Sequence, residues 1–286
     1  MRWNDQGQSS NVEDRRGSSG GGGFGGGGPR LGLGGIVVVG ILSLIFKRNL
    51  FGVLAHNSGG GSTGPAVALS PSAKAAEDKS ASFVSFVLDD VQNTWSRDTS
   101  LGLPYPAAKL VLFTNRTTSG CGAASASTGP FYCPADRKVY IDLAFFHDLE
   151  TRFKASGDFA QAYVIAHEVG HHLQNVLGTE QKLRRLQNAN PNAANALSVA
   201  MELQADCYAG VWAHSANERK LLEMGDLEEG LGAASAVGDD RLQKAAGRGV
   251  NPESFTHGSA QQRSTWFRRG YDTGKIANCD TFAGVK

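Results

Sequence analysis

Between residues 74 and 97 the apolar residues Phe83, Val84, Val87, Leu88, Val91 and Trp95 recur at the three- and four-residue spacing of a helix with one buried face. Residues 109–114 and 138–142 are short runs rich in Val, Ile, Leu, Phe and Tyr and predict strands. A glycine-rich loop bounded by Cys121 and Cys133 separates them. Residues 158–177, DFAQAYVIAHEVGHHLQNVL, predict a helix that opens on Asp158 as N-cap and stops at Gly178. A second largely apolar helix follows at residues 196–214, ALSVAMELQADCYAGVWAH, and the C-terminal stretch QQRSTWFRRGYDTG reads as a packed amphipathic helix. Helices dominate and the strands are few, so the expected class is α+β, mainly helical with a small sheet.

The N-terminal part reads differently. Residues 1–30 are polar and glycine-rich and predict a flexible tail. Residues 31–46, LGLGGIVVVGILSLIF, carry no charge and are followed by Lys47, Arg48 and a second apolar piece. The run is shorter than the about 20 residues of a typical span, a gap that snorkelling of Lys47 and Arg48 can close. Residues 31–54 are therefore expected to form a single N-terminal transmembrane helix, with a Gly/Ser/Pro linker over residues 55–73 and one folded domain over residues 74–286. A cleaved signal peptide is the competing reading, and the long polar leader argues against it.

Arg15, Arg16 and Arg30 before the apolar run nearly balance Lys47 and Arg48 after it, so the positive-inside count decides little. All four cysteines lie downstream of the run, and an even count there suits two disulfides in an oxidising compartment. Four cysteines allow three connectivities. Cys121 with Cys133 and Cys207 with Cys279 is the expected pairing, because the first pair brackets a short loop, with four free buried thiols as the alternative. The folded domain is accordingly expected outside the cytoplasm. Lys plus Arg is 28 against 27 for Asp plus Glu, a net charge of +1 that gives no reason to expect a nucleic-acid partner.

The chemistry lies in H-E-V-G-H, residues 167–171. On a helix, positions i and i+4 project about 40° apart, so His167 and His171 can reach one metal ion, a Zn2+ by ligand type. Glu168 then lies beside the ion without binding it, placed as a general base toward an activated water. An open catalytic site needs a third protein ligand. Glu202 is the candidate, and Asp206, one turn further along the same helix, can accept the free ring N–H of a ligand histidine. His172 and His214 point elsewhere and read as structural or exposed.

These residues resemble the gluzincins, zinc peptidases that pair H-E-x-x-H with a glutamate on a later helix, here in E-L-Q-A-D at residues 202–206. More closely, the chain is similar to the bacterial neutral zinc metallopeptidase family. It shares M-R-W at 1–3, N-V-E-D-R-R-G at 11–17, G-P-F-Y-C-P at 129–134, V-Y-I-D at 139–142, H-E-V-G-H-H-L-Q at 167–174, T-H-G-S at 256–259, and Gln262 with Arg263. The resemblance covers nearly the whole chain. It implies a zincin-like domain behind a membrane anchor in the bacterial inner membrane and an endopeptidase acting on protein or peptide substrates. It also implies that residues 139–142 receive the substrate backbone as an extra edge strand. His257 takes the place of the histidine that many gluzincins aim at the oxyanion, and Arg263 would orient His257 or a neighbouring carboxylate. Two other readings remain: a deformylase-like metalloamidase with Cys121 as third ligand, and a zinc-binding envelope scaffold without catalysis.

Overall fold

Ser70 caps the first long helix, accepting a hydrogen bond from the Ala73 N–H, and Pro71 stands at the helix start where its missing N–H costs nothing. In the computed structural model, which describes residues 1–17, 70–283 and 285, this helix is α1 (Pro71–Arg97). It turns Val84, Val87, Leu88, Val91 and Trp95 into the core. The remaining helices are α2 (Ala144–Thr151), α3 (Asp158–Val176), α4 (Thr179–Ala189), α5 (Ala194–Glu218), α6 (Asp226–Ala236), α7 (Asp239–Ala245) and α8 (Ala260–Thr273). The protein is mainly helical with a small sheet, as the pattern predicts.

Strands β1 (Val12–Asp14), β2 (Lys109–Phe113), β5 (Phe131–Cys133) and β6 (Lys138–Asp142) form one sheet in the order β1-β2-β6-β5. The first three run parallel and β5 is antiparallel to β6. β3 (Arg116–Ser119) and β4 (Gly122–Ser125) make a separate hairpin whose second strand falls inside the Cys121–Cys133 stretch read as a loop. Side chains alternate across the sheet. Leu110, Leu112, Val139 and Ile141 join the helical core, while Val111, Phe113 and Tyr140 pack with Cys133 on the other face. The disulfides are Cys121–Cys133 and Cys207–Cys279, the expected pairs.

Two expectations about the N-terminal part are corrected. Residues 1–17 are not a tail: β1 pairs with β2, Trp3 lies against Phe83 with ring centroids 5.3 Å apart, and the Met1 ammonium donates to Asp158 Oδ1 at 2.5 Å. Long-range pairing supplies the order that local composition does not. The single transmembrane helix is likewise unsupported. Among the described residues no helix is long and apolar enough to cross a membrane, and residues 31–54 lie outside them. Moreover, β1 and β2 are hydrogen-bonded neighbours on either side of that segment, and one crossing between them would put them on opposite faces of a membrane. Asp158, expected as an N-cap, is instead the first residue of α3 after Gly157 and serves the N-terminal ammonium.

α5 packs against both α3 and α8. Small residues set the spacing. A Cβ built at Gly270 would stand 2.0 Å from the Cys207 carbonyl oxygen, and one at Gly210 would stand 2.1 Å from that of Phe267. Both obstacles are backbone, so neither can swing aside. Gly270→Ala is expected to destabilise the fold by on the order of 3 kcal/mol through overpacking, read as a lowered urea midpoint. The same change at Gly232, where a Cβ meets nothing within 4 Å, should be neutral or slightly stabilising.

Candidate metal centre

α3 ends at Val176, and Gly178, with φ 76°, takes the left-handed turn that leads into α4. Within α3, His167 and His171 lie one turn apart with their Nε2 atoms 3.2 Å from each other. α5 brings Glu202 to the same point: Oε2 is 3.2 Å from His167 Nε2, and Oε1 is 3.5 Å from His171 Nε2. Gly170 permits the approach, since a Cβ there would stand 3.1 Å from the Ala205 carbonyl oxygen of α5.

The triangle has the size that zinc requires. Bonds of about 2.0–2.1 Å in tetrahedral geometry set ligand atoms about 3.3 Å apart. The donor chemistry agrees. His167 Nδ1 is 2.9 Å from Asp206 Oδ1 and His171 Nδ1 is 2.8 Å from Gln174 Oε1. Each of these oxygens accepts an Nδ1–H, which leaves both Nε2 lone pairs and the Glu202 carboxylate converging on one point. A positive charge at that point, a metal ion or a proton, balances the cluster. Burial works against charging His167, but Asp206 and Glu202 outweigh it and raise the imidazole to about 9. Burial also works against the Glu202 carboxylate, yet the surrounding histidines hold it well below the usual range.

Behind His167 lies a buried polar set. Asp206 is fully buried and accepts from Tyr163 Oη at 2.5 Å and from Arg263 at Nε (2.8 Å) and Nη2 (2.9 Å). Burial would raise the Asp206 carboxyl, but Arg263 and His167 keep it below its ordinary value. Arg263 thus lies against a neighbouring carboxylate, and no hydrogen bond among the described residues joins it to His257. Arg263→Met removes a buried cation and leaves the Asp206 charge uncompensated. A loss of about 3–5 kcal/mol is expected in denaturant unfolding.

Glu168 is buried beside the triangle, and its carboxylate makes no hydrogen bond among the described residues. Burial is the main influence on it and raises its pKa, against the pull of His167 and His171. His257 lies on the turn before α8, near enough for its charge to act on Glu202. Its Nδ1 is 3.0 Å from Thr256 Oγ1 and 3.5 Å from Asp239 Oδ1. Asp239 Oδ2 accepts the backbone N–H groups of Thr256, His257 and Gly258 at 2.8, 2.7 and 3.1 Å, which fixes that turn.

The rival ligands lie elsewhere. His172 is buried between Tyr132 Oη and the Pro106 carbonyl, and His214 faces the Tyr271 carbonyl. Cys121 is tied to Cys133, so the deformylase-like reading loses its thiolate. Asp158, Asp226 and Glu229 form a second group with convergent carboxylates, and the Met1 ammonium bonds the first two. Three residues that support the site were not singled out in the sequence: Tyr163, Gln174 and Asp239. Tyr163 precedes His167 by four and Gln174 follows His171 by three, so helical spacing puts both on the histidine face. Asp239 carries no comparable local signal, since its role depends on a turn eighteen residues away.

H-E-x-x-H with a carboxylate from a second helix is the ligand arrangement of one class of metal-dependent peptidases. The chain belongs to the family described as "Putative neutral zinc metallopeptidase", which it matches over residues 1–282. It is 50% identical over 289 residues to "Uncharacterized protein YpfJ" of Escherichia coli K12, covering 99% of each chain. It is 47% identical over 192 residues to "Uncharacterized protein Rv2575" of Mycobacterium tuberculosis H37Rv, covering 63% of this chain and 64% of that one. No solved structure matches it.

Proposed function

We propose that this member of the family is a zinc-dependent endopeptidase, with His167, His171 and Glu202 as the metal ligands and Glu168 as the general base. The observation that carries the reading is the triangle of three ligand atoms, sized for a tetrahedral ion and lying beside a buried glutamate that is otherwise unengaged. Bound zinc supplies Lewis-acid polarisation of a carbonyl and acidification of water. Glu168, its pKa raised by burial, takes the proton of the attacking water and returns it to the leaving amine. Asp206, held by Tyr163 and Arg263, keeps the His167 ring in the tautomer that presents Nε2. His257, on the turn fixed by Asp239, donates to the oxyanion that develops on the substrate carbonyl.

Residues 139–142 do not take the substrate-strand role. They lie in β6, which pairs with β2 along its whole length and with β5 over Lys138–Tyr140, so the edge at Val139 and Tyr140 is already taken. The sheet ends at β5, whose outer edge can accept an extended peptide beside α3. The two disulfides favour a compartment that keeps cysteines oxidised.

The test is cleavage of an unfolded protein by the purified chain. Cleavage that a chelator stops and zinc restores is expected, and its absence from zinc-loaded protein, against a range of unfolded substrates, would count against a general endopeptidase. His257→Ala should lower kcat by about 10²–10³-fold at unchanged zinc content, whereas an unaltered kcat would remove His257 from the mechanism.

A further inference from the structure

We infer that Gln174 and Gln204 form a buried amide relay that ties the second metal histidine to the Cys207–Cys279 disulfide, so that metal affinity depends on that disulfide. The inference rests on the assignment of His171 as a metal ligand. Gln174 has no exposed surface. Its Oε1 faces His171 Nδ1 at 2.8 Å, and its Nε2 donates to the Met201 carbonyl at 2.7 Å and to Gln204 Oε1 at 3.1 Å. Gln204, also buried, donates from Nε2 to the Cys279 carbonyl at 3.0 Å.

An amide is the group this position requires. One end must accept the imidazole N–H and the other must donate to a carbonyl, which neither a carboxylate nor an ammonium does. The orientation fixes the His171 tautomer, with the proton on Nδ1 and the lone pair of Nε2 turned to the triangle. The Met201 carbonyl precedes Glu202, so one side chain holds the second histidine against the helical turn that bears the third ligand. Gln174 and Gln204 are positioning residues and touch neither the metal nor a substrate.

The far end of the relay is covalently fixed. Cys279 is joined to Cys207 on α5, and Thr281 Oγ1 donates to the Ala200 carbonyl at 2.5 Å, so the segment after α8 lies along the α5 turns that flank Glu202. Reduction by a dithiol converts the disulfide to two thiols while the reductant becomes a cyclic disulfide, and it unties residue 279 from α5. Gln204 Nε2 then loses a fixed acceptor, and the order of Gln174 and His171 loosens in turn. Cys121–Cys133 lies on the other face of the sheet, among Val111, Phe113 and Tyr140; its neighbour Tyr132 bonds His172 and Asn175, but among the described residues no side-chain hydrogen bond leads from there to His167, His171 or Glu202.

The experiment measures zinc affinity of the full chain by competition with a chromogenic chelator, with apo-protein circular dichroism as the folding control. Gln174→Leu is expected to weaken zinc binding by about 10–100-fold, the usual cost of losing a partner of a ligand histidine. Cys207→Ser/Cys279→Ser should weaken it by about tenfold, and Cys121→Ser/Cys133→Ser should not. In a Gln204→Leu background the Cys207/Cys279 replacement should have no further effect, because the link is already broken. An equal additional loss in that background would overturn the relay, as would a folded Gln174→Leu with affinity within twofold of the native chain. Should Gln174→Leu fail to fold, the Gln204→Leu cycle decides alone. A native chain that binds no zinc would instead contradict the metal-centre assignment itself.

Discussion

Glu168→Gln is expected to lower the cleavage rate by about 10²–10⁴-fold while the protein keeps its full zinc content. The amide is nearly isosteric with the carboxylate, so the triangle of His167, His171 and Glu202 stays as it is. What disappears is the base. The carboxylate makes no hydrogen bond among the described residues, so its removal leaves no partner stranded, and stability should change little. The small change is expected toward a higher urea midpoint, because a buried group whose charge burial disfavours is replaced by a neutral one. The same variant separates the enzyme from a zinc-binding scaffold. A scaffold would keep its function after the substitution, whereas a peptidase would lose it and retain the metal.

Glu202→Gln acts on the opposite side of the same division. It removes the negative ligand and leaves two neutral imidazoles, so zinc affinity should fall by more than the about 10–100-fold that loss of an outer hydrogen-bond partner costs. The effect reaches beyond the metal. The Glu202 carboxylate sits 3.2 Å from His167 Nε2 and supports its raised pKa together with Asp206. Zinc content by mass spectrometry and activity should therefore fall together in this variant, and added zinc should restore part of the activity. Retention of native affinity would show that the third ligand lies elsewhere.

Much of this was legible in the chain, and the parts that were not share a cause. The histidine pair and Glu202 could be read because helical periodicity converts sequence spacing into direction: i and i+4 share a face wherever the helix lies. Asp206 followed from the same rule. Arg263 could be placed only by resemblance, because its partner Asp206 is 57 residues away and the contact depends on how α8 crosses α5. The strand assignment failed for a similar reason. Residues 138–142 read correctly as a strand, but whether a strand lies at an edge is settled by its neighbours, and β5 covers β6 over Lys138–Tyr140.

The N-terminal segment is the clearest instance. Composition made residues 1–30 look unable to order themselves, and as an isolated stretch residues 1–17 would be. They are ordered by partners far along the chain: β2 for Val12–Asp14, Phe83 for Trp3, and Asp158 and Asp226 for the Met1 ammonium. The single-span topology rested on treating this segment as separate from the domain, and it fails once β1 is part of the sheet.

The most direct test of the account is the zinc content of the purified full-length chain, compared with that of His167→Ala and His171→Ala variants prepared in the same way. One zinc per native chain, reduced to a trace in both variants while their folds persist, is the predicted result. Native protein without zinc after equilibration with the ion, or variants that hold as much as the native chain, would contradict it.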